Sequence, residues 1–307
     1  MIHFQIPWFV VSVIGTAVAF YVGFKNNQAY DRMWEARKIW GGIVNDSRSW
    51  GMLVDGFICN QFRKTALLSS EIEAIKKRLI YRHIAWLYIY RNQLLVPAPW
   101  EHISQKGMAG LKARNHINKH GLASLDKEIS NSKISKLLSK EEYTRLNKSN
   151  NIATQIINEQ SRDLKQLREI DIIDDFRHMK LVQNLQEFFT LQGKNERIKK
   201  FPLPRQYTNM SRIFVWIFIG LLLFSMVPEL MKLGYMAVWS SIPIAALIGW
   251  VYVMMEMVGD YSENPFMGMA NDIPMLSLCR TIEIDLREML GESEFPPVIK
   301  ATNGILM

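Results

Sequence analysis

The sequence has little that would support catalysis, a disulfide framework or a metal centre. Its two cysteines, Cys59 and Cys279, lie far apart without CxxC spacing, so we expect two reduced thiols. His116 and His120 are four residues apart, but two ligands are too few for a structural metal site. A nucleophile motif, a P-loop and a dinucleotide fingerprint are all missing. We therefore expect a protein that is not an enzyme and that carries no cofactor and no metal.

Charge is absent from the first 24 residues and is uneven over the rest of the chain. Residues 25–212 hold 33 Lys and Arg against 19 Asp and Glu, whereas residues 213–307 hold 4 against 10. The net charge of +8 permits a nucleic acid, an anionic membrane surface or an acidic partner. Because no nucleic-acid-binding motif accompanies the lysines, the basic segment favours proximity to a membrane over binding of a nucleic acid.

Three long apolar runs cover residues 1–24, 213–227 and 233–255. About 20 apolar residues cross a bilayer, so the first and third runs are long enough. The second needs residues before Arg212, whose long side chain can reach the interface. A signal peptide cleaved near residues 17–19 is the alternative for the first run, and a buried hairpin is the alternative for the other two. The first run lacks a positive n-region, and aromatic residues near the run ends are typical of membrane interfaces.

The charge pattern also predicts a topology. The positive-inside rule places residues 25–212 in the cytoplasm as a helical domain. Residues 213–255 then form a membrane hairpin with an outside turn at 228–232, and residues 256–307 form a cytosolic C-terminal segment. Residue 1 lies outside in this topology without an export signal, so we expect a further membrane helix upstream and four crossings in total.

The cytosolic segment is predicted to be helical, and since no strand-like alternation occurs in the sequence, the fold class is all-α. Apolar residues recur at helical spacing over residues 28–59 and 70–96. The second of these helices is predicted to be capped by Ser70 and to end before Pro97 and Pro99. Residues 104–150 carry shorter helical signals, and residues 151–192 are predicted to form one long helix or a pair.

Two stripes with a spacing of four residues run along the first apolar stretch. The first stripe has small residues, which let helices in lipid approach closely, and consists of Gly15, Ala19 and Gly23. The second stripe consists of Thr16, Phe20 and Phe24. In a ring of such helices, the small residues would face a neighbouring helix, and the second stripe would form an apolar constriction that gates by dewetting. The alternative is that all six residues pack against other helices.

Acidic residues crowd the end of the third apolar run, where Glu256, Asp260 and Glu263 precede the segment "NPFMGMANDIP". Acidic oxygens in a turn can bind calcium, but the segment itself is apolar and rich in methionine. A membrane enzyme with these three carboxylates is a further alternative, although no histidine lies near them in the sequence. Helix capping and turn formation are the simpler interpretation.

Two segments, "VGFKNNQAYDRMWEARKIWGGIVNDSR" and "ENPFMGMANDIPM", resemble the bestrophin family in its bacterial branch. The resemblance covers nearly the whole chain, because the family also has membrane helices in front, a helical cytosolic middle, a membrane hairpin and a cytosolic tail. The residues that carry it are Asn26, Tyr30, Arg32, Trp34, Glu35, Arg37, Trp40, Pro265, Phe266, Asn271 and Asp272.

The resemblance implies a homopentameric ion channel with an axial pore in the bilayer of a bacterial inner membrane. The pore neck of the family matches Thr16, Phe20 and Phe24, where Thr16 replaces an aliphatic residue. Counting back from "NERIKKFPLP" aligns a second constriction with Phe176. The resemblance implies conduction of small monovalent ions: chloride by the family-wide description, with cations as the alternative in bacterial members. The calcium loop of animal members lacks most of its carboxylates here, so we expect no calcium gating.

One alternative to a channel stays open at this point. A membrane-anchored scaffold or sensor without conductance would use the same membrane helices and would bind a partner through its cytosolic helices. Conductance of the purified protein in a bilayer separates the two hypotheses.

Overall fold

The computed structural model describes residues 6–63, 65–120, 134, 136–301 and 306. Within these residues every regular element is a helix, which confirms the predicted all-α class. The chain divides into two compact units. We call Met1–Trp34 with Phe201–Pro265 the apolar unit, and Glu35–Lys200 with Phe266–Met307 the polar unit.

Helix α1 runs without a break from Trp8 to Phe57 and contributes to both units. Its 50 residues measure about 75 Å at the usual rise per residue. The first apolar run and the predicted helix at 28–59 are thus one element. The charged residues after Phe24 end the apolar run but not the helix, because residues 25–42 contain no proline that would remove a backbone hydrogen bond.

The apolar unit contains the first part of α1, helix α7 (Arg205–Met231), a 3-10 helix (Tyr235–Ser240) and helix α8 (Ser241–Ser262). Three helical segments of the described chain are long and apolar enough to cross a membrane: Trp8–Phe57, Gln206–Met231 and Tyr235–Ser262. They pack around a core of mostly aliphatic side chains: Val11, Val18, Val22, Val215, Phe218, Leu222, Met226 and Ala245.

The helices of the apolar unit extend beyond their apolar runs. Helix α7 continues through Pro228, which lies in its last turn, to Met231. The turn expected at residues 228–232 comes later, at Gly234, whose φ of +115° suits glycine. Helix α8 continues past the end of the third run to Ser262, with Glu256 buried inside the unit.

Within its described residues, the polar unit contains the second part of α1 and six further helices, together with a 3-10 turn at His102–Ser104. The six helices are α2 (Ser69–Leu95), α3 (Gly107–His120), α4 (Lys140–Leu146), α5 (Ile152–Glu169), α6 (Asp175–Lys200) and α9 (Met275–Met289). Helix α2 packs against α5 and α9, and α5 packs against α6. The segment at 151–192 is therefore a pair of helices, with its break at residues 170–174.

Helix α2 begins differently from the prediction. Ser70 is not the N-cap, because the helix starts at Ser69 and its N-cap is Leu68. The carboxylate of Glu71 accepts the backbone N–H of Leu68 at 2.8 Å and satisfies one of the free donors at the helix start. The predicted end before Pro97 and Pro99 is confirmed, since α2 ends at Leu95.

The predicted histidine pair lies on α3, but the side chains of His116 and His120 are outside the described residues. Among the side chains that are described, no group of three or more His, Cys, Asp or Glu is placed to hold a metal ion.

Candidate pore-lining site and the network that anchors it

Helix α1 presents two opposite faces in the apolar unit. Val18, Val22 and Lys25 lie on the buried face, which packs inside the unit. Phe20 and Phe24 point away from it and are 66% and 69% exposed. Since an α-helix turns by 100° per residue, these phenylalanines lie on the side opposite Val18 and Val22. The predicted stripe is therefore available to a neighbouring molecule, to lipid or to a pore axis.

Thr16 lies on the same exposed face, one turn before Phe20. Its hydroxyl donates a hydrogen bond to the backbone oxygen of Ser12 at 2.9 Å. The hydroxyl hydrogen is thus used within the helix. Thr16 therefore presents less polarity to its surroundings than a threonine with a free hydroxyl would.

The stripe of small residues does not behave as one surface. A Cβ added to Gly15 would lie 2.6 Å from Cε2 of Phe218, so this glycine packs against α7 of the same chain. The hydroxyl of Tyr252 also donates to the backbone oxygen of Gly15 at 3.1 Å. Ala19 is half-buried, and a Cβ added to Gly23 would meet nothing within 4 Å. Packing of a neighbouring helix on this stripe stays a prediction, with Gly23 as its open position.

The residue after Phe24 anchors this part of α1. Nζ of Lys25 lies 2.6 Å from Oε1 of Glu256 and 3.0 Å from Oδ1 of Asp260, and the Lys25 side chain is completely buried. Both carboxylates belong to α8, one turn apart on the same face. Lys25 is not among the residues that the sequence patterns singled out, although one cation beside an apolar run and two acids four residues apart are signals for such a contact.

Helix α7 completes the cluster around Lys25. Oγ of Ser211 donates to Oε2 of Glu256, and Nη2 of Arg212 lies 3.2 Å from Oδ2 of Asp260. Two cations thus face two carboxylates, which makes the cluster electrically neutral. Burying charges in a low-dielectric interior is costly unless each one is paired and hydrogen-bonded, and here all four meet a partner.

Asn26 and Arg32 extend the contacts along α1. Nδ2 of Asn26 donates to the backbone oxygen of Met255 at 2.9 Å. Arg32 donates from Nε to the backbone oxygen of Glu263 at 3.0 Å and from Nη1 to that of Phe201 at 2.8 Å. Two residues of the family motif therefore fasten α1 to α8, to the residue that follows α8 and to the segment that precedes α7, all within the apolar unit.

Protein donors meet the oxygens of the acidic cluster. The third acid, Glu263, accepts hydrogen bonds from Oγ1 of Thr208 at 3.2 Å and from Nδ2 of Asn264 at 3.0 Å. All three carboxylates are engaged by protein donors. Long-range pairing between helices, rather than capping, accounts for Glu256 and Asp260, which lie inside α8. The interpretation as capping and turn formation fits Glu263, at the C-cap position of α8, and Asp272 in the turn that follows.

The rest of the first motif has several roles. In the apolar unit the rings of Tyr30 and Trp34 stack with centroids 6.4 Å apart, and both are mostly exposed. In the polar unit Glu35 pairs with Lys38 at 2.7 Å, and Arg37 is exposed. Trp40 is fully buried, and its ring stacks on that of Tyr90 with centroids 6.0 Å apart.

In the second motif Asp272 organises the loop. Its carboxylate accepts the backbone N–H groups of Phe266, Gly268 and Ile273 at 3.0, 2.9 and 2.7 Å. Burial raises the pKa of the Asp272 carboxyl, and the three N–H donors oppose this by favouring the charged form. Both oxygens are thus occupied by the backbone. Pro265 is buried and Asn271 is exposed beside this loop.

Phe176 is the second residue of α6 in the polar unit and is 83% exposed. Met179, which follows on the same side of the helix, is 69% exposed. An aromatic ring with so little cover from its own chain is compatible with the predicted second constriction, which stays a prediction.

Comparison with known proteins agrees with these features. The family model described as Bacterial/Fungal Bestrophin protein matches residues 1–288. The voltage-dependent anion channel-forming protein YneE of Escherichia coli K12 is 25% identical over 306 residues, which cover 96% of this chain and 84% of the relative. A voltage-dependent anion channel-forming protein of Mesorhizobium japonicum is 26% identical over 292 residues, covering 93% of this chain and 75% of the relative.

The fold is also that of a solved structure. A bacterial bestrophin homologue from Klebsiella pneumoniae aligns with a TM-score of 0.73 and 22% identity, over 95% of this chain and 90% of that chain. With three helices apolar enough to cross a membrane, the molecule is a bacterial membrane protein. The chain belongs to the bacterial and fungal branch of the bestrophin family.

Proposed function

We propose that this protein is a passive ion channel for small monovalent ions, with anions such as chloride preferred. The observation that carries the proposal is the free stripe of Thr16, Phe20 and Phe24, which lies opposite the packed face of α1. The curated relatives are described as anion channel-forming proteins, and this supports the same activity here.

The exposed rings of Phe20 and Phe24 require cover by something other than water. Exposed to water, apolar surface costs about 25 cal/mol per Å², so rings such as Phe20 and Phe24 face lipid, a partner or a narrow pore. A ring of identical subunits with head-to-tail contacts closes around an axis and places one copy of each residue at every level. We propose a homopentamer in a bacterial inner membrane, with Phe20 and Phe24 forming an apolar neck that gates by dewetting.

The remaining assignments are part of the same proposal. Residues 25–212 and 256–307 lie in the cytoplasm, residues 213–255 form a membrane hairpin, and Phe176 forms the second constriction. An apolar neck discriminates poorly by charge. The preference for anions is assigned to the field of residues 25–212, in which 33 basic side chains outnumber 19 acidic ones.

Single-channel recording tests the neck. Phe20→Ala and Phe24→Ala replace a large apolar ring by a methyl group, so we expect a wider, better hydrated neck with a higher open probability or conductance. Phe224→Ala is the matched control, because Phe224 lies on α7 and is 59% exposed. Unchanged conductance and gating in both neck variants would contradict the assignment of the neck.

The reversal potential of the unsubstituted protein under a KCl gradient tests the selectivity. A potential near the chloride equilibrium value supports anion preference, and one near the potassium value contradicts it. If a verified pentamer shows no conductance, the channel proposal fails and the scaffold hypothesis takes its place.

A further inference from the structure

One arginine joins the end of α1 to the beginning of α6 inside the polar unit. The guanidinium carbon of Arg177 lies 5.4 Å from the ring centre of Phe57 and 4.7 Å from that of Phe62. Both distances are within the range of cation–π attraction. Phe57 is the last residue of α1, and Phe62 lies in the segment that follows it.

The nitrogen atoms of the same guanidinium are also occupied. Nη1 donates to the backbone oxygen of Phe57 and to Sγ of Cys59, both at 3.2 Å. Nη2 donates to Oε1 of Gln61 at 2.5 Å. A planar fork of five N–H donors can reach several acceptors at once, which a single ammonium on a flexible stem does not reproduce. Arg177 therefore holds the chain from Phe57 to Phe62 at several points.

The backbone of α6 is fixed at the same place. Oδ1 of Asp174 accepts the backbone N–H of Arg177 at 3.1 Å, and the backbone oxygen of Asp174 accepts that of His178 at 2.9 Å. Asp174 thus caps the first turn of the helix. The cap and the Arg177 side chain together fix the orientation of this turn, and Phe176 is part of it.

We infer that Arg177 is a positioning residue for the second constriction, and this rests on the function proposed above for Phe176. The Phe176 ring is 83% exposed, so its position depends on the backbone that carries it rather than on side chains around it. In a ring of subunits, an outward displacement of this turn widens the opening by twice that displacement. Loss of the Arg177 contacts allows the first turn of α6 to move while the ring of subunits stays assembled.

The test measures how well a bulky ion passes relative to a small one. Reversal potentials with chloride on one side and gluconate on the other give the permeability ratio, or potassium and N-methylglucamine are used if the channel passes cations. Phe176→Ala raises the relative permeability of the bulky ion. Arg177→Gln loses both cation–π contacts and is expected to raise the ratio by at least about two- to fivefold, the factor that corresponds to one such contact.

Three further variants separate positioning from charge. Arg177→Lys keeps the charge and can keep a cation–π contact but loses the fork, so it is expected to raise the ratio less than Arg177→Gln, whereas an effect of charge alone would leave the ratio unchanged. Arg197→Gln removes the same charge from an exposed position near the other end of α6 and should leave the ratio unchanged. Phe62→Leu removes one of the two rings that Arg177 contacts, at a partly exposed site. It provides a second test of these contacts if Arg177→Gln fails to assemble.

The double variant Phe176→Ala with Arg177→Gln is decisive. If Arg177 acts through the Phe176 ring, the double variant has the permeability ratio of Phe176→Ala alone. Additive effects overturn the inference, as does an unchanged ratio in Arg177→Gln beside a raised ratio in Phe176→Ala. An unchanged ratio in Phe176→Ala, from channels that conduct, overturns the second constriction and the inference with it. The absence of any conductance instead overturns the proposed channel.

Discussion

The two units are stabilised by different kinds of buried side chain. The apolar unit has a mainly aliphatic core and concentrates its polar contacts in the neutral cluster around Lys25. The polar unit adds a cluster of buried aromatic rings to its aliphatic core: Trp86 lies 5.4 Å from Tyr90 and 5.1 Å from Phe188, measured between ring centroids. The difference follows from the solvent. Lipid is as apolar as leucine, so helices in a membrane gain little from burying aliphatic surface and depend on close packing and polar pairs.

In the polar unit, water outside makes apolar burial itself the driving force. Large aromatic rings bury the most area per residue, and Trp50, His83 and Trp86 are all buried in this unit. Ion pairs are present there as well, such as Arg82 with Asp163 at 2.7 Å. The comparison therefore predicts that the apolar unit is most sensitive to loss of a charge, and the polar unit to gain of one.

The largest effect is expected from removal of the charge of Lys25. Lys25→Met keeps an apolar stem of similar length but leaves Glu256 and Asp260 with one cation, Arg212, between them. Breaking a buried pair from one side costs about 3–5 kcal/mol. We expect a large fall in the thermal unfolding midpoint in detergent, and loss of the assembled state on a sizing column.

Two variants sharpen this test. Lys38→Met is the control, because Lys38 is 58% exposed in its pair with Glu35 and such pairs contribute about 0–1 kcal/mol. Adding Glu256→Gln to Lys25→Met restores neutrality, since Asp260 keeps its contact with Arg212, and should recover much of the loss. Equal midpoints for Lys25→Met and Lys38→Met would show that the cluster does not hold the apolar unit together.

The polar unit is expected to respond to pH through His83. Burial lowers the pKa of His83 to about 3, and the neighbours of the imidazole are the Ser47 hydroxyl and the rings of Trp86 and Phe188. The unfolded chain binds this proton near pH 6.5 and the folded chain does not. Stability is thus complete above about pH 6.5 and falls as pH drops from there toward 3, by about 2 kcal/mol at pH 5.

The measurement is the difference between the unfolding midpoints at pH 7.5 and pH 5. His83→Gln should reduce this difference, whatever its effect on the midpoint at neutral pH. His178→Gln removes a half-exposed histidine of the same unit and should leave the difference as it is. Burial also raises the pKa of Cys279 to about 12, but that thiol stays neutral in both states over this range. An undiminished pH dependence in His83→Gln would contradict the assignment.

The architecture is largely readable from the sequence because it follows from local composition. Apolar runs, proline positions and helical spacing predicted the all-α class and most of the helices. Local signals failed where distant contacts outweigh them. Glu256 was interpreted as part of a capped turn, yet a lysine 231 positions earlier in the chain pairs with it. Pairs at such separations leave no periodic pattern in a single sequence.

The exposed stripe of α1 was visible for a related reason. A spacing of four residues is a property of one helix, so Thr16, Phe20 and Phe24 could be grouped before any partner was known. What surrounds each side chain was not visible, and Gly15 and Gly23 show the consequence. Their spacing is the same as that of the stripe, but one meets Phe218 and the other meets open space.

The smallest effect on chain stability is expected at Gly23, and it completes the comparison. Alanine favours a helix over glycine by roughly 1 kcal/mol, and the same gain applies to Gly15→Ala and Gly23→Ala. At Gly15 a clash with the Phe218 ring opposes that gain by about 1–3 kcal/mol. At Gly23 nothing within 4 Å opposes the gain, so the unfolding midpoint of Gly23→Ala should stay the same or rise slightly.

If Gly23 faces a neighbouring subunit, Gly23→Ala should instead lose assembled protein on a sizing column. Unchanged assembly in Gly23→Ala would place the subunit contact on another face of α1, because a methyl group has room there only where no neighbour packs.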